Sequence, residues 1–197
     1  DGQTYDIEFG VIDVNEKTVK VLLKIDDTVY FEKELTHEDF VGGEFYFGIV
    51  ASGSKATISK SDAAVDPDPE PTYDVVDVTD MLADTANWKS ASWGTALSFA
   101  DGSVTADVGG YNKETFKNTV FRFKYTRTRN VAGGWDGFNL GFEPDNVYWN
   151  VGGLYVDFNN DSAVLRCIGK DKSVVYQTTK GPSLTARRMI SSLVSLM

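Results

Sequence analysis

The sequence predicts an all-β fold in which two antiparallel sheets pack face to face. Three observations lead to this prediction. Apolar and polar residues alternate with a period of two in most segments, the chain contains 18 glycines, and aromatic residues make up 13% of it. Its 197 residues suffice for one large domain or two small ones.

Residues 1–61 are predicted to form a run of antiparallel strands. TYDIEFGVID and TVKVLLKID alternate apolar with polar positions, and the pair Asp26-Asp27 turns the chain into TVYFEKEL. GEFYFGIVASGSKATISK then continues as two strands around a Ser-Gly-Ser turn. Alternation of this kind is typical of an antiparallel sheet with one face in water.

A change of composition follows in SDAAVDPDPEPTYD, residues 61–74, where prolines at alternate positions are interspersed with acids. Such prolines favour an extended polyproline conformation, and the acidic groups repel one another. We therefore expect residues 62–74 to form a semi-rigid linker between two halves of the chain.

Residues 75–180 predict a second set of strands with little helix. TYDVVDVTDMLADTANW begins as a strand and passes into a short helix or loop near residues 80–84. Strands are expected in FADGSVTADVGGY, NTVFRFKYTRTR, GGWDGFNLGF and GGLYVDFNND, and SAVLRCIGKDKSVVYQT is a predicted hairpin. Strands at this spacing favour a sandwich or a barrel.

The last segment, GPSLTARRMISSLVSLM at residues 181–197, departs from the composition of everything before it. Two hypotheses remain open for this tail. Its apolar residues recur at helical spacing, which predicts an amphipathic helix covering an open edge or cavity. Alternatively, the segment is non-native and comes from a vector or a shifted reading frame.

The charge and the cysteine count exclude several classes of function. A net charge of −10 would repel a phosphate backbone, which argues against nucleic-acid binding as the main role. Cys167 is the one cysteine, so an internal disulfide and a cysteine-based zinc site are excluded, and we expect a buried, small apolar residue there. No run of 18 apolar residues predicts a membrane span.

The strand segments resemble the concanavalin A-like, laminin-G-like jelly roll. TYDIEFGVID, VLLKIDDTVYF and GEFYFGIVASGSKATI are similar to the closing strands of such domains, and FRFKYTR, GFNLGF and GGLYVDF to the opening strands. The resemblance implies that residues 1–61 are the C-terminal half of a sandwich and residues 75–180 the N-terminal half, in permuted order. It also implies a secreted or cell-surface bacterial protein.

Three arrangements of these halves remain open. The chain folds as a circularly permuted monomer, because the termini of a sandwich lie close together at its surface. Alternatively, two copies exchange halves and form a dimer. In the third arrangement, two incomplete sandwiches each expose a hydrophobic sheet face and unpaired edges.

The residues do not predict an enzyme. Family members that hydrolyse glycosides carry E-x-D-x-E or E-x-D-x-x-E on a strand, and the corresponding stretch here is Glu143-Pro144-Asp145, with Tyr148 and Trp149 where the second glutamate would stand. The proline indicates a loop. His37 lies in LTHEDF, which predicts a histidine in a surface loop.

Calcium is the one metal that the sequence leaves open. Oxygen donors occur at Asp26-Asp27, at Asp101 and in the Asn159-Asn160-Asp161 turn, and calcium takes several such oxygens. None of these loops has the spacing of a regular calcium motif. Solvated turns are therefore the favoured interpretation.

A candidate binding surface begins in GGWDGFNLGF, where Phe138, Leu140 and Phe142 are expected to face the core and Trp135 and Asn139 the solvent. Lectins of the jelly-roll family bind sugars on such a sheet face through aromatic stacking and planar hydrogen-bonding groups. The resemblance implies Trp135 and Tyr155 as platforms, with Trp149 as a loop wall. The hydrogen-bonding groups would then be Asn139, Asp157 and Arg122.

The leading hypothesis is therefore a non-catalytic, lectin-like carbohydrate-binding module with a glycan partner. The alternative is a structural spacer or a protein-interaction or adhesion module in a tandem array. In that case Trp135 caps a sheet end, Arg122 and Asp157 form an exposed salt bridge, and the tail lies across the face.

Overall fold

A computed structural model shows two antiparallel sheets packed as a sandwich, as the alternation predicts. The structure describes residues 2–61, 73–92, 94–129, 131–144, 152–159 and 162–180. The tail at residues 181–197 and most of the expected linker lie outside these ranges. The last residue assigned to the linker, Asp74, begins a strand.

The described strands follow one another along the chain as β1 (Gln3–Asn15), β2 (Thr18–Ile25), β3 (Thr28–Leu35), β4 (Phe45–Ser52), β5 (Ser54–Ser59), β6 (Asp74–Asp77), β7 (Trp88–Ser90), β8 (Ser98–Ala100), β9 (Ser103–Ala106), β10 (Gly109–Phe116), β11 (Thr119–Arg129), β12 (Trp135–Gly141), β13 (Gly153–Asn159), β14 (Ser162–Ile168) and β15 (Val174–Lys180). Helix α1 (Val78–Ala83) and a 3-10 turn (Thr85–Asn87) separate β6 from β7.

The first sheet has the strand order β3-β2-β1-β11-β5-β9-β8, and β6 pairs in parallel with β11 beside β5. The second sheet has the order β15-β14-β13-β12-β4-β10-β7. The other pairings are antiparallel, which agrees with the alternation of apolar and polar residues along each strand.

Strands from before and after the expected linker share both sheets. In the first sheet β1 and β5 flank β11, and in the second sheet β4 lies between β12 and β10. Buried residues from both parts of the chain belong to one hydrophobic core. Two incomplete sandwiches are therefore not what this chain forms, because each part supplies strands that the other needs.

The two turns that the sequence predicts, at Asp26-Asp27 and near Gly169, are confirmed. Asp26 and Asp27 have φ angles of 48° and 60°, the left-handed pair that a tight two-residue turn between twisted strands demands. The second predicted hairpin closes where the Gly169 amide donates to the Ser173 carbonyl at 2.8 Å. Both turns join strands that pair directly, β2 with β3 and β14 with β15.

The core contains many aromatic side chains, and both sheets contribute them. Phe138 is fully buried, as predicted, and its ring packs against Phe9, Phe123 and Tyr125 at centroid distances of 5.1, 5.0 and 5.2 Å. The interplanar angles of 60° to 87° are edge-to-face arrangements, which aromatic pairs prefer over a face-to-face stack. Leu140 also faces this core, as predicted.

The short helix expected near residues 80–84 starts slightly earlier, at Val78. The Asp77 carboxylate caps it by accepting from the Thr79 amide at 2.9 Å. Its buried side chains include Met81, whose carbonyl accepts from the Trp88 indole nitrogen at 2.9 Å. Within the described residues, no helix is long and apolar enough to cross a membrane.

Cys167 lies on β14 with its side chain in the core, which confirms the prediction of a small apolar residue. Burial raises the pKa of its thiol to about 12. The thiolate, which is the reactive form, is therefore scarce at neutral or mildly alkaline pH.

We expect Cys167 in the folded protein to resist a thiol reagent such as dithionitrobenzoate at pH 8, because the raised pKa and the burial both suppress the thiolate. Absorbance of the released thiolate measures the reaction. The same sample in concentrated guanidinium chloride should react promptly, and fast labelling of the folded chain would contradict the buried placement.

A buried polar cluster joins the two sheets within the apolar core. The Asp136 carboxylate on β12 accepts from the Tyr125 hydroxyl at 2.8 Å and from Nε of Arg127 at 2.7 Å. The Arg127 guanidinium also donates to the Phe158 carbonyl at 3.0 Å and lies 4.9 Å from the Phe158 ring centroid. We call Tyr125, Arg127 and Asp136 the inter-sheet cluster.

Each member of the inter-sheet cluster has little access to water. Asp136 is 0% and Arg127 8% exposed, and the second carboxylate oxygen of Asp136 has no hydrogen-bond partner among the described residues. Burial, and next the charge of Asp136, raises the pKa of Tyr125 well above its ordinary value, so the hydroxyl keeps its proton and donates. The cluster therefore carries a large desolvation penalty along with its hydrogen bonds.

We expect Asp136→Asn to lower the free energy of unfolding by about 3–5 kcal/mol, because it leaves the Arg127 charge buried and unpaired. The double variant Arg127→Met with Asp136→Leu removes both charges and should recover most of that loss. Urea unfolding followed by tryptophan fluorescence measures both.

The matched control is Asp107→Asn, which breaks the exposed pair of Lys55 and Asp107 at 3.4 Å. That pair should contribute less than about 1 kcal/mol. Equal effects of Asp136→Asn and Asp107→Asn would contradict the assignment of Asp136 to a buried ion pair.

Candidate functional site

The outer face of the second sheet carries most of the residues that the sequence proposes as a binding surface. Trp135 and Asn139 alternate along β12 with Phe138 and Leu140, and only the latter two join the main core. One register position runs across the whole sheet. We call it the outer row, and its members are Lys89, Tyr111, Gly48, Asn139, Tyr155, Arg166 and Gln177.

Two glycines on this face, Gly48 in the outer row and Gly137 on β12, lie in close contact with neighbouring atoms, so the space above them is filled. A Cβ on Gly48 would lie 2.3 Å from Oδ1 of Asn139, so the amide of Asn139 occupies the space above this glycine. A Cβ on Gly137 would lie 2.0 Å from the Val156 carbonyl oxygen. The glycines in the sequence suggest open space on this face. In the structure the Asn139 side chain and the backbone at Val156 occupy that space.

The central residues of the outer row are buried even though they face away from the core. Asn139 is 1% and Tyr155 2% exposed, and the Tyr155 hydroxyl donates to the Gly152 carbonyl at 3.1 Å. The expectation that Asn139, Tyr155 and Asp157 are open to solvent for a ligand is therefore wrong, although their side chains do point away from the core as predicted. Alternation along a strand fixes only direction, and neighbouring groups decide exposure.

Trp135 is the most accessible of the predicted platforms that the structure describes. It is half-buried and packs against Val50 and Ala91, which form a small apolar cluster apart from the main core. Its carbonyl accepts from the Ser54 hydroxyl at 2.6 Å, which ties the start of β12 to β5. Trp149, the predicted loop wall, lies outside the described residues.

The Asp157 carboxylate forms an ion pair with Nη1 of Arg166 on the neighbouring strand β14. The Asp157 side chain is 8% and the Arg166 side chain 24% exposed, and burial lowers the pKa of Arg166. The alternative in which Asp157 pairs with Arg122 is therefore wrong. Arg166 lies opposite Tyr155 in the register, and this position makes it a further candidate binding residue.

Arg122 belongs to β11 in the first sheet and lies on the opposite outer surface of the sandwich. Its Nε is 3.1 Å from Oε1 of Glu8, and Nζ of Lys24 is 2.7 Å from the other oxygen of the same carboxylate. The prediction that Arg122 lies beside Trp135 is wrong, because the strands that carry them fall in different sheets. Four of the predicted residues, Trp135, Asn139, Tyr155 and Asp157, do share one face.

Two further aromatic residues on the same face, Tyr46 and Tyr111, are not among the predicted binding residues. Tyr46 on β4 and Tyr111 on β10 meet at right angles, with ring centroids 6.4 Å apart. The signal was present in FYFGIV, since Phe45 and Phe47 face the core and the residue between them must face outward.

No group of three or more histidine, cysteine, aspartate or glutamate side chains suited to a metal occurs within the part of the chain that the structure describes. Of the calcium donors considered, Asp26 accepts from the Asp6 amide at 3.0 Å, and Asp101 occupies a turn with a φ of 49°. Asn160 and Asp161 lie outside the described residues.

The predictions that His37 and the Glu143-Pro144 stretch lie in loops agree with the structure. His37 follows β3 in a loop, and its Nδ1 accepts from the Asp39 amide at 3.3 Å. Glu143 and Pro144 are exposed and lie beyond the end of β12, as a loop requires, while Asp145 falls outside the described residues.

No protein-family model matches the chain, and comparisons with curated proteins and with solved structures find no match. The fold and the outer face of the second sheet therefore rest on the residues and geometry of this chain alone.

We expect Gly48→Ala to destabilise the protein by about 1 kcal/mol, because the new methyl group displaces the Asn139 amide. Gly137→Ala should cost more, since its methyl group meets the backbone of β13, which cannot swing aside. Thermal unfolding of both variants measures the difference.

The double variant Gly48→Ala with Asn139→Ala tests the contact itself. Removal of the amide should cancel part of the effect of the added methyl group, which gives a non-additive double-mutant cycle. Strict additivity would contradict the placement of Asn139 over Gly48.

Proposed function

We propose that the chain is a non-catalytic, lectin-like carbohydrate-binding module that binds its ligand on the outer face of the second sheet. The observation that carries this proposal is the contrast between the two outer faces of the sandwich. On the second sheet, aromatic and planar polar groups meet on adjacent strands, namely Tyr46, Tyr111, Trp135, Asn139, Tyr155, Asp157 and Arg166.

The outer face of the first sheet has the composition of an ordinary wet surface. It carries the ion pairs of Glu8 with Lys24 and Arg122, and hydrogen-bonded threonines such as Thr57 and Thr105, whose hydroxyls are 2.8 Å apart. Cross-strand ion pairs and threonine pairs are common stabilising contacts on a solvated sheet. The second sheet differs from the first in carrying aromatic rings among its outward-facing polar groups.

The chemistry of the second face suits a sugar. An aromatic ring such as Trp135 packs on the apolar side of a pyranose ring, and planar amide and guanidinium groups pair with its hydroxyls. In this arrangement Trp135 is the platform, Asp157 and Arg166 bind hydroxyls at its side, and the buried Asn139 and Tyr155 form the floor. The ion pair holds Arg166 in place before the ligand arrives, which reduces the entropic cost of binding.

We also propose that the chain is a jelly-roll module with its two halves in permuted order, and that it comes from a secreted or cell-surface protein. The support for this proposal is the resemblance of the strand segments, together with the way residues 1–61 supply strands to both sheets. The acidic net charge of −10 suits a neutral glycan better than a polyanion.

A structural spacer or protein-interaction module in a tandem array is the second candidate, and one observation favours it. Asn139 and Tyr155 are 1% and 2% exposed, so the middle of the face offers a ligand little free surface. In that case the aromatic groups stabilise the sheet instead of binding a sugar, and the accessible Trp135 contacts a protein neighbour.

We expect the protein to bind at least one glycan on an array of neutral plant and microbial polysaccharides, and Trp135→Ala to weaken that binding about tenfold or more. Loss of a stacking platform corresponds to roughly 1.4 kcal/mol or more. Titration calorimetry with the best glycan measures the change. Because Trp135 is half-buried, thermal unfolding of the variant must be measured in parallel.

Lys20→Ala on the first sheet is the matched control, since it removes a partly exposed side chain 3.8 Å from Glu32 and should leave binding unchanged. Binding to no glycan would favour the spacer. Polysaccharide turnover by the pure protein would contradict the non-catalytic assignment.

A further inference from the structure

The edge strands of the two sheets differ in how well they are protected. β7 and β8 are 3 residues long, which limits what another chain can pair with. β3 carries the consecutive charges Glu32, Lys33 and Glu34 and has a register irregularity opposite Leu23 and Lys24. Short length, charge and irregularity are the ordinary defences of an edge against a second strand.

β15 has fewer of these defences. Its own register irregularity, opposite Cys167 and Ile168, lies at the start of the strand, and no charged residue precedes Lys180. β15 is 7 residues long, with the sequence VVYQTTK. Among the strands that the structure describes it pairs only with β14, and Val174 is 60% exposed. An edge of β-branched and aromatic residues with free backbone groups is a template for another strand.

We propose that β15 pairs with β15 of a second copy of this chain, in antiparallel orientation about a two-fold axis at Gln177. Gln177 is the middle residue of the strand, so this register centres the pairing on the regular part of β15, beyond the irregularity between Val174 and Tyr176. Tyr176 then lies opposite Thr178 of the second copy. No like charges face each other, and aromatic and β-branched pairs stabilise such ladders.

Contacts across the sandwich hold β15 in place for this pairing. Nζ of Lys33 on β3 lies 5.3 Å from the centroid of Tyr176, and Nζ of Lys180 lies 5.5 Å from the centroid of Phe31. The Tyr30 hydroxyl donates to the Lys180 carbonyl at 3.3 Å. A strand already ordered by β3 loses little entropy when a second copy binds, which favours association.

The pairing has a consequence that rests on the proposed function. Gln177 is the last residue of the outer row, opposite Arg166, so the two second sheets would become one continuous sheet. The outer faces of both copies would then lie side by side on one surface. Two weak sites on a rigid dimer bind a repeating polysaccharide more tightly than either site alone.

Sedimentation velocity of the full chain over a range of concentrations tests the pairing without any glycan. We expect a weak monomer–dimer equilibrium in the wild type. Gln177→Lys and Gln177→Glu should each raise the dimer dissociation constant about tenfold or more, because each places like charges opposite one another at the two-fold axis. An equimolar mixture of the two variants should restore dimers, since opposite charges then meet.

Val29→Lys and Val29→Glu are the matched controls, because they add the same charges at an exposed position on the other long edge. They should leave the dissociation constant unchanged. A chain that stays monomeric at every concentration overturns the proposal, and so does a dimer that Gln177 variants do not weaken, as expected if two copies exchange halves. Because the readout is mass, a failure here is distinct from a failure to bind glycans.

Discussion

The pairing of β1 with β11 is the constraint on which the rest of the structure depends. It aligns residues from opposite parts of the chain, with Gln3 opposite Arg127 and Val11 opposite Thr119. A slip of one residue would turn the apolar set of β1 out into water and draw its polar set inward. Once this register is set, β11 presents Phe121, Phe123 and Tyr125 to the second sheet, where the rings of β12 and β4 meet them.

The inter-sheet cluster adds directional contacts to an otherwise apolar interior. Apolar packing tolerates many relative positions of two sheets, but the hydrogen bonds from Tyr125 and Arg127 to Asp136 are satisfied in only one. A buried ion pair is weak evidence for stability, because the cost of removing two charges from water offsets the attraction between them. Its role in this sandwich is therefore best understood as specifying how the sheets lie on each other.

The two outer faces illustrate how one architecture separates stability from recognition. On the first sheet, charged side chains such as Glu8 and Lys24 form ion pairs across neighbouring strands. On the second sheet, Trp135 remains partly accessible beside the fixed pair of Asp157 and Arg166. The edge strand β15, which carries no charge before Lys180, belongs to this same sheet, so the aromatic face and this edge are properties of one half of the sandwich.

By itself, the sequence determined most of the strands and their core side, together with the tight turns, because period-two alternation and left-handed turn residues such as Asp26 are local properties. It placed Phe138 inside and Trp135 outside correctly for that reason. It did not predict β7 or most of β10. Only the tertiary structure decided that Arg122 lies on the opposite surface, that Asp157 pairs with Arg166, and that Tyr155 is buried. Those outcomes depend on which distant strands pair, and alternation within one strand is the same whichever sheet the strand joins.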